Sequence, residues 1–365
     1  MLARLTRQAV LNLDPYEWEA SSEVVAARHG LDPRDVIRFD LNTSPFPPAS
    51  WEASMERADA ERIPNEYFDT AYAELTALIA PYCGVGQDQL AIGAGADEIL
   101  DVITKTFLDN GDAAVISVPT YSMYAICTRQ LGAVVRAVPL GADFALDVDA
   151  VLAAAQGAKI IFVCNPNSPT GNPADPAALE RLIAAAPCMV VIDEAYVEYH
   201  GWSALPLIAR YPQLIVVRTM SKGFGLAGMR LGWGVAQPEV AALLNRVRPP
   251  NSVSVVTARV AAAALRDLDG MRAHVAAIVA ERAGFAEALR ALGAHVYPTA
   301  TNFVLTRWAD PATAQAVYAW LEERGMVVRN FAHHALIPGH LRITVRTPAQ
   351  NARLLGALVE WRAMG

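Results

Sequence analysis

Short apolar runs alternate with helix-like segments between about residue 90 and residue 235, and this alternation limits the possible folds more than any other feature. The runs are continuously apolar, as in strands buried on both faces of a sheet, and the segments between them are long enough for crossover helices. Strands are predicted at residues 90–92, 113–118, 134–138, 160–164, 189–193, 214–218 and 231–235. Helices are predicted at residues 96–108, 121–131, 147–155, 177–186 and 205–211. We therefore expect an α/β fold built on a mostly parallel sheet.

The last third of the chain has a different pattern. After Pro249 and Pro250, an alanine-rich helical stretch runs from about residue 254 to residue 292, long enough to be a bent helix that links two domains. Beyond it, strands are predicted at residues 303–306, 327–329 and 341–345, and helices at residues 312–324 and 350–364. The expected organisation is an N-terminal arm (1–35), a large domain (36–250) and a small α+β domain (251–365).

Composition excludes several functions. The hydrophobic fraction of 53% and charged fraction of 18% are typical of a folded globular protein, and the net charge of −7 without a basic run argues against nucleic-acid binding. The four cysteines are far apart, which predicts reduced thiols in a cytoplasmic protein. No apolar segment has the length of a membrane span, and the N-terminus lacks the apolar core of a signal peptide.

One lysine has an unusual position. The 30 Lys and Arg residues include only three lysines, and Lys222 is one of them, just after the apolar run 214–217 and among glycines. An arginine could not form an imine there, whereas a lysine amine becomes nucleophilic when it is desolvated or lies near another cation. Arg218 and Arg230 are close to it in sequence. Lys222 is therefore a candidate for an imine with an aldehyde cofactor such as pyridoxal phosphate.

Pyridoxal phosphate needs a carboxylate that keeps its ring nitrogen protonated, an anion cradle for its phosphate and a side chain stacked on its ring. Asp193 ends the apolar run 189–193 and suits the first requirement. A lone Asp at a strand end is more often a helix N-cap or a partner in a core salt bridge. The presence of Lys222 favours the role of cofactor counter-ion.

An anion cradle is predicted where a glycine-rich segment, residues 93–98, opens a helix after a strand. Free backbone N–H groups at such a helix start bind anions, and Ser221 and Arg230 could add a hydroxyl and a guanidinium. Tyr121, at another strand end, could stack on the ring. Simple helix capping and a core tyrosine are the alternatives for these two features.

Two other chemistries fit the sequence poorly. Residues 223–228 match the G-x-G-x-x-G dinucleotide pattern, but a strand at 231–235 follows almost at once where a helix is required, and Glu239 lies at a helix start. The histidines are scattered apart from the adjacent His333 and His334, and no metal-ligand spacing is present. No metal site is predicted.

Several motifs together resemble one enzyme family. They are S-K-x-x-x-x-x-G-x-R-x-G from Ser221 to Gly232, Asp193-Glu194-Ala195-Tyr196, Gly95-Ala96-Asp97-Glu98, Pro119-Thr120-Tyr121 and Leu341-Arg342-Ile343-Thr344-Val345. From about residue 13 to its C-terminus the chain resembles the fold type I pyridoxal-phosphate-dependent aminotransferases, and within them the histidinol-phosphate aminotransferases. The implied fold is the type I transferase fold, with a large domain on a mostly parallel sheet and a smaller α+β domain.

The resemblance implies roles for individual residues around the cofactor. Lys222 would carry the internal aldimine and move the proton between the substrate and the cofactor, Asp193 would pair with the pyridine nitrogen, and Tyr196 would donate to the ring oxygen. Tyr121 would stack on the ring. The implied phosphate contacts are Ala96, Asp97, Ser221 and Arg230. Gly95 and Thr219 are implied as further cofactor contacts.

The resemblance also implies substrate and subunit contacts. Tyr67 would reach the phosphate of the partner subunit, which implies a homodimer with active sites at the interface. The implied substrate contacts are Tyr16, Asn42, Arg329 and Arg342.

The chain departs from the family pattern at three motifs. The usual P-N-N-P-T-G is P-N-S-P-T-G here, so either Asn167 or Ser168 would contact the ring oxygen. The usual Asn-Glu-Asn-Pro is Asn42-Thr43-Ser44-Pro45, which removes a carboxylate near the substrate entrance. In the family's N-R-Y-P-D, Glu66 and Phe68 replace the Arg and the Pro.

The expected activity is therefore transfer of the amino group of histidinol phosphate to 2-oxoglutarate, by a cytoplasmic homodimer in histidine biosynthesis. A lyase like threonine-phosphate decarboxylase and an aromatic or general amino acid aminotransferase are the alternatives on the same scaffold. A ligand-sensing domain without catalytic activity is a further alternative, but the intact lysine argues for catalysis.

Overall fold

A seven-stranded sheet forms the centre of the protein in a computed structural model, which describes residues 2–13, 19–51 and 69–364. Its strands are β2 (Leu90–Gly93), β3 (Ala113–Val118), β4 (Val134–Pro139), β5 (Ile160–Cys164), β6 (Met189–Asp193), β7 (Leu214–Thr219) and β8 (Gly232–Val235). The strand order is β2-β8-β7-β6-β5-β3-β4. Strand β8 is antiparallel to both of its neighbours, and the other pairings are parallel. The predicted mostly parallel sheet is confirmed.

Alternate residues of the central strands pack on opposite faces of this sheet, each into its own apolar layer. Val190 and Ile192 lie in one layer, and Val191 lies in the other. This arrangement explains why the strands are continuously apolar in sequence. The helices on the first face are α4 (Ala73–Cys83), α7 (Val148–Ala154), α8 (Pro176–Ala185) and α11 (Val255–Arg266). Those on the second face are α5 (Ala96–Phe107), α6 (Met123–Gln130) and α10 (Pro238–Val247).

A second core forms around a four-stranded antiparallel sheet near the C-terminus. Its strands are β9 (His295–Val296), β10 (Phe303–Arg307), β12 (Arg329–Phe331) and β13 (His340–Thr344), in the order β12-β13-β10-β9. Its helices are α12 (Leu268–Ala291), α13 (Pro311–Glu322) and α14 (Pro348–Ala363). A separate two-stranded parallel ladder joins β1 (Ile37–Arg38) to β11 (Met326–Val327). The N-terminal helices are α1 (Leu2–Leu5), α2 (Gln8–Leu11), α3 (Ser22–His29) and a short 3₁₀ helix Pro33–Asp35, and α9 (Val197–His200) follows β6.

The structure differs from the sequence-based elements in a few places. The long helical stretch is two helices, because Asp267 ends α11 and its side chain then accepts a hydrogen bond from Gly270 as the N-cap of α12. The segment predicted as a helix at residues 205–211 is the 3₁₀ helix Leu205–Ala209. The strand predicted at residues 327–329 is divided between β11 and β12, which pair with different strands.

The helix that follows the predicted domain boundary at residue 251 packs in the core of the large sheet. Residues of α11, such as Val260 and Ala261, lie in the core of the large sheet. Near the N-terminus, Phe39 lies in the core of the small domain. The change between the two cores therefore falls near Asp267, where the two helices meet. In the parts of the chain that the structure describes, no helix combines the length and apolar character that a membrane crossing requires.

A buried ion pair joins the ends of two central strands. Arg218 in β7 donates to Glu194, which follows β6, from its Nε at 3.0 Å and its Nη2 at 2.8 Å. The two side chains are 7% and 0% exposed. Glu194 also accepts from the hydroxyl of Ser203 and the backbone of Ala204. These additional donors compensate for the desolvation of the carboxylate.

Replacing Arg218 by Met should strongly destabilise the fold, because it leaves Glu194 as a buried charge without its partner. The expected loss is about 3–5 kcal/mol in the free energy of unfolding, measured from urea unfolding curves. The matched control is Arg181→Met, which removes an exposed pair with Asp149 whose side chains are 53% and 82% exposed. The control should leave the curve unchanged, and equal effects of the two substitutions would contradict the argument.

Candidate active site

The polar segments that follow the parallel strands meet at one edge of the large sheet. Asp193 ends β6 and lies level with Cys164 of β5 and Val217 of β7. Lys222 follows β7 by a short turn, and Ser168 lies in the loop after β5. Ligands of open parallel sheets bind beyond the carboxyl ends of the strands. This edge is therefore the candidate active site.

Lys222 has an environment that favours its neutral amine. Its side chain is half-buried, and its Nζ donates a hydrogen bond to the carbonyl of Leu41 at 3.3 Å and lies 5.9 Å from the centre of the Tyr196 ring. Burial, with smaller contributions from Arg342 and Arg230, lowers the pKa of Lys222 to about 8. About a tenth of the amine is then deprotonated at pH 7, far more than for an ordinary lysine, which favours a role as nucleophile or base.

Of the two arginines predicted near Lys222, Arg230 acts on its pKa and Arg218 does not. Arg218, which is close in sequence, points instead to Glu194 in the buried ion pair. Arg342 of the small domain and Arg230 are the arginines whose charges act on the pKa of Lys222. The electrostatic effect inferred from the sequence is present, but its largest source lies 120 residues further along the chain.

Asp193 is a buried carboxylate, 3% exposed, with two hydrogen-bond donors. Tyr124 donates to its Oδ2 at 2.7 Å, and the backbone N–H of Ala195 donates to its Oδ1 at 3.0 Å. Neither donor carries a positive charge. Burial raises the pKa of Asp193 to about 6, and both hydrogen bonds oppose that rise. A cation beside the carboxylate would stabilise its ionised form.

Tyr124 is a residue that the sequence reasoning missed. Its ring stacks on Phe162 at 5.2 Å between centres, and its edge meets the ring of Tyr121 at 5.7 Å. Tyr124 therefore supports both the carboxylate of Asp193 and the predicted stacking residue. The signal was present in the sequence, because Tyr121 and Tyr124 are spaced to share one face at the start of α6.

The predicted anion cradle lies at the start of α5. Gly95 has φ +88°, and a Cβ there would come 2.8 Å from Nη2 of Arg230, so the position requires glycine. Arg230 donates to Asp97 at 3.0 Å and to Ser221 Oγ at 3.4 Å. Arg230 itself adopts φ +51°, a conformation that tends to occur at functional sites. The first N–H groups of α5, from Ala96 onward, have no intrahelical acceptors, so they are available to bind an anion.

Two further contacts hold the cradle in place. The hydroxyl of Thr219 lies 2.9 Å from that of Ser221, and the hydroxyl of Tyr121 donates to Asp97 at 2.8 Å. Glu98, which the sequence reasoning did not assign, accepts from the backbone N–H of Ala94 at 2.6 Å. The sequence alone does not predict this contact, because it depends on how the glycine-rich loop folds back onto the start of α5.

The two candidates for the ring-oxygen contact have different environments. Asn167 donates to the carbonyl of Pro119 at 2.9 Å and to Thr170 at 2.7 Å, and it accepts from Thr120 at 2.7 Å. Its amide is thus committed to the loop around it. The hydroxyl of Ser168 instead lies 3.3 Å from Nη1 of Arg342.

Tyr196 and Asn42 form the side of the site next to the small domain. Asn42 donates to the hydroxyl of Tyr196 at 3.0 Å and adopts φ +53°. Burial raises the pKa of Tyr196, while Arg342 and hydrogen bonds from Asn42 and Ser168 oppose the rise. The Tyr196 hydroxyl is therefore protonated at neutral pH and surrounded by groups that stabilise negative charge on it.

Two arginines lie side by side on the small sheet. Arg329 of β12 is directly opposite Arg342 of β13, so both side chains leave the same face. Arg342 donates to the carbonyl of Asp40 at 2.7 Å, and its buried Nε has no hydrogen-bond partner among the described residues. Arg329 contacts the carboxylate of Glu19. Paired guanidiniums with unused donors are suited to an anionic substrate.

The structure thus brings most of the predicted residues into one site. Among the predicted residues that the structure describes, Asn167 has its side chain committed to its own loop. Tyr16 and Tyr67 lie outside the described residues. The site combines an amine of low pKa, a buried carboxylate that has no cationic partner in the described parts of the chain, and an anion cradle. These features match an aldehyde cofactor with a protonated ring and a phosphate. Pyridoxal phosphate has these three features, and the site defines a pyridoxal-phosphate-dependent enzyme.

Comparison with known proteins agrees with this class. Residues 34–358 match the family described as Aminotransferase class I and II. The chain is 37% identical to the histidinol-phosphate aminotransferase of Roseiflexus castenholzii over 98% of each chain. It is 35% identical to histidinol-phosphate aminotransferase 1 of Cupriavidus pinatubonensis, covering 95% of this chain and 93% of that one.

A solved structure is also similar over the whole chain. The crystal structure of histidinol-phosphate aminotransferase from Sinorhizobium meliloti in complex with pyridoxal-5′-phosphate has a TM-score of 0.89, 27% identity and 98% coverage of both chains. The chain belongs to the class I and II aminotransferase family and is a transferase of nitrogenous groups. The family resemblance, the fold class and the cofactor predicted from the sequence are confirmed.

Replacing Tyr124 by Phe should weaken cofactor binding at acid pH. The substitution keeps the stacked ring but removes a hydrogen bond to Asp193, which raises the pKa of the carboxylate further. A protonated Asp193 cannot pair with a protonated pyridine, so affinity should begin to fall at a higher pH, shifted by about 1 pH unit for one charged hydrogen bond. The measurement is the cofactor dissociation constant from pH 5 to pH 8.

The control for this experiment is Tyr211→Phe, which alters a half-buried tyrosine that donates to Glu180. Its pH profile should follow that of the wild type. Identical profiles for the wild type and Tyr124→Phe would show that Tyr124 does not influence Asp193.

Proposed function

We propose that the chain transfers the amino group of histidinol phosphate to 2-oxoglutarate, yielding imidazole acetol phosphate and glutamate. As a member of the class I and II aminotransferases it uses pyridoxal phosphate. Relatives named histidinol-phosphate aminotransferase align with it at 35–37% identity over nearly the full length of the chains, which supports this substrate.

The structural observation that carries the proposal is the pair Arg329 and Arg342. Their side chains leave the same face of the small sheet, and the charge of Arg342 acts on Lys222. A substrate with its amine at Lys222 would therefore have its anionic group near the two guanidiniums. A phosphate ester is a strong ligand for arginine forks.

The residues present fit pyridoxal phosphate. Lys222 would be the point of covalent attachment, Asp193 would pair with the ring nitrogen, and Tyr121 would stack on the ring. The phosphate would lie at the start of α5, with Thr219, Ser221 and Arg230 around it. When bound, this cofactor supplies an electron sink for the pair left when the substrate's Cα–H bond breaks.

The side chains of the protein supply the remaining functions. Lys222 Nζ, with its pKa lowered to about 8, would accept the proton from the substrate's Cα and pass it on to the cofactor. Asp193 stays ionised against a cationic ring, so the sink retains its positive charge. Tyr196 and Arg342 orient the reacting groups, because both are fixed by buried contacts.

We assign the ring-oxygen contact beside Tyr196 to Ser168 rather than Asn167. The amide of Asn167 is used within its loop, whereas the hydroxyl of Ser168 interacts with both Arg342 and Tyr196. The replacement of the family's Asn by Ser then preserves a donor at the same place.

Ser168→Ala should lower kcat/KM by ~3- to 10-fold, the effect of one lost hydrogen bond. It should also change the pH dependence of the visible absorbance of the bound cofactor, because a donor near the ring oxygen is removed. Ser168→Asn, which restores a donor, should recover most of the activity. If Asn167 makes the contact instead, Ser168→Ala will leave both properties unchanged.

The substrate is tested by single half-reactions. Purified holoenzyme is mixed separately with histidinol phosphate, glutamate and phenylalanine, and the absorbance of the bound cofactor is followed. Histidinol phosphate should convert the cofactor to its amine form, and glutamate should do so as the reverse of the second half-reaction. Lys222→Ala is the control, which should show no turnover and no borohydride-reducible adduct.

Other outcomes of this experiment point to the alternatives. Histidinol phosphate has no carboxyl group to lose, so release of carbon dioxide from threonine phosphate, mixed with the holoenzyme in a parallel reaction, would identify a lyase like threonine-phosphate decarboxylase. Conversion by phenylalanine with none by histidinol phosphate would identify an aromatic aminotransferase. Either result would refute the proposed substrate while leaving the cofactor site intact.

We further infer a cytoplasmic homodimer that acts in histidine biosynthesis. The free cysteines Cys83, Cys127, Cys164 and Cys188 suit a reducing compartment. Two proposed contacts rest on the family resemblance alone. They are the contact of Tyr67 with the partner subunit's phosphate and the contact of Tyr16 with the substrate. The division into arm 1–35, large domain 36–250 and small domain 251–365 is likewise proposed, with the core contacts favouring a later boundary near Asp267.

A further inference from the structure

A carboxylate from the N-terminal segment lies at one of the two substrate arginines. Oε1 of Glu19 contacts Nη1 of Arg329, and the two side chains are 27% and 28% exposed. The pair is therefore accessible from the solvent side of the site. Because Arg329 lies opposite Arg342 on the small sheet, the negative charge of Glu19 is also felt at Arg342, whose pKa it helps to raise against the effect of burial.

The segment that carries Glu19 is anchored to the small domain. Ser21 accepts from the backbone of Val24 as the N-cap of α3. At the other end of this helix, Arg28 donates to Glu322 of α13 at 3.0 Å, and His29 lies 3.3 Å from the same carboxylate. Glu19, two residues before the N-cap, is thus held near Arg329 by a fixed helix.

Among the described residues, the other carboxylate whose charge acts on Arg342 is already neutralised. Asp40 is 2% exposed and accepts two hydrogen bonds from Arg38, at 2.9 Å and 2.6 Å. Its charge is balanced within that pair. Glu19 is therefore the carboxylate that competes with an incoming anion for Arg329.

We propose that Glu19 is a specificity-determining residue that acts as an internal competitor for Arg329, so that a substrate's anionic group must displace its carboxylate. The inference rests on the proposed function, in which Arg329 receives the substrate phosphate. A substrate without an anionic group has no reason to break the pair. Glu19 therefore weakens the binding of anionic substrates and leaves neutral ones unaffected.

The exposure of the Glu19–Arg329 pair sets how much its displacement reduces the affinity for an anionic substrate. Partly exposed ion pairs contribute little, so displacing Glu19 costs at most ~5-fold in affinity. A phosphate dianion can recover this cost, because it carries more charge and bonds to a guanidinium through two oxygens. Screening by salt should reduce the competition.

The test is Glu19→Gln in the holoenzyme, in which the cofactor's own phosphate site is filled. The KM for histidinol phosphate should fall ~2- to 5-fold at low salt with kcat unchanged, and the difference from the wild type should shrink as salt is added. The KM for histidinol, the same substrate without its phosphate, should not change. If Glu19 had only a structural role, the substitution would change the KM for both substrates.

The matched control is Glu23→Gln, which removes an exposed carboxylate from the first turn of the same helix. It should behave as the wild type. In the background Arg329→Gln, the substitution Glu19→Gln should have no further effect on KM, since the contested guanidinium is gone. Additive effects of the two substitutions would overturn the proposal, because they would show that the residues act independently.

A binding measurement separates this inference from the proposed substrate. The dissociation constant of inorganic phosphate for the holoenzyme is compared by calorimetry between the wild type and Glu19→Gln. Tighter phosphate binding in the variant supports the competition even if the wild type does not convert histidinol phosphate, a result that would refute only the proposed function. Equal or weaker phosphate binding, or an unchanged or higher KM for histidinol phosphate, would refute the role of Glu19.

Discussion

The burial of the Asp193 carboxylate is the constraint on which the rest of the site depends. A parallel sheet ends its central strands in an apolar interior, and Asp193 is placed there between the neighbouring strands β5 and β7. Hydrogen bonds from Tyr124 and Ala195 are not enough to restore its ordinary pKa, which is raised to about 6. The site therefore favours a bound cation, and the amine of Lys222 and the cradle around Arg230 determine which cationic molecule fits.

The sequence predicted the large sheet well, because its signals are local. Continuously apolar runs such as residues 189–193 can form only strands covered on both faces, and the chemistry-bearing residues then follow at the strand ends. The two-residue strands β1 and β9 were not predicted, because their pairing depends on segments far along the chain. The break at Asp267 was also not located, because an aspartate within a helical pattern becomes a cap only when the two helices pack in different cores.

The parts of the site that have local sequence signals were also predicted. Lys222, Asp193 and the glycine-rich cradle could be identified from residue type and position after a strand. The cation that acts most on Lys222 could not be identified in this way. It is Arg342, which comes from the small domain, whereas the nearby Arg218 turns toward Glu194. Glu19 was missed as well, because a surface glutamate before a helix has no distinguishing pattern until Arg329 is seen beside it.

Two tyrosines of the large-domain segment after β6, Tyr196 and Tyr199, pack into the core of the small domain. The hydroxyl of Tyr199 donates to the backbone carbonyl of Lys222 at 3.1 Å, and Asn42 connects Tyr196 to the strand that carries Arg342 through Thr344. Lys222 and Arg342 lie beside different sheets, and buried contacts thus link both of them to the small-domain core. A substitution that loosens that core should therefore disturb the position of both side chains.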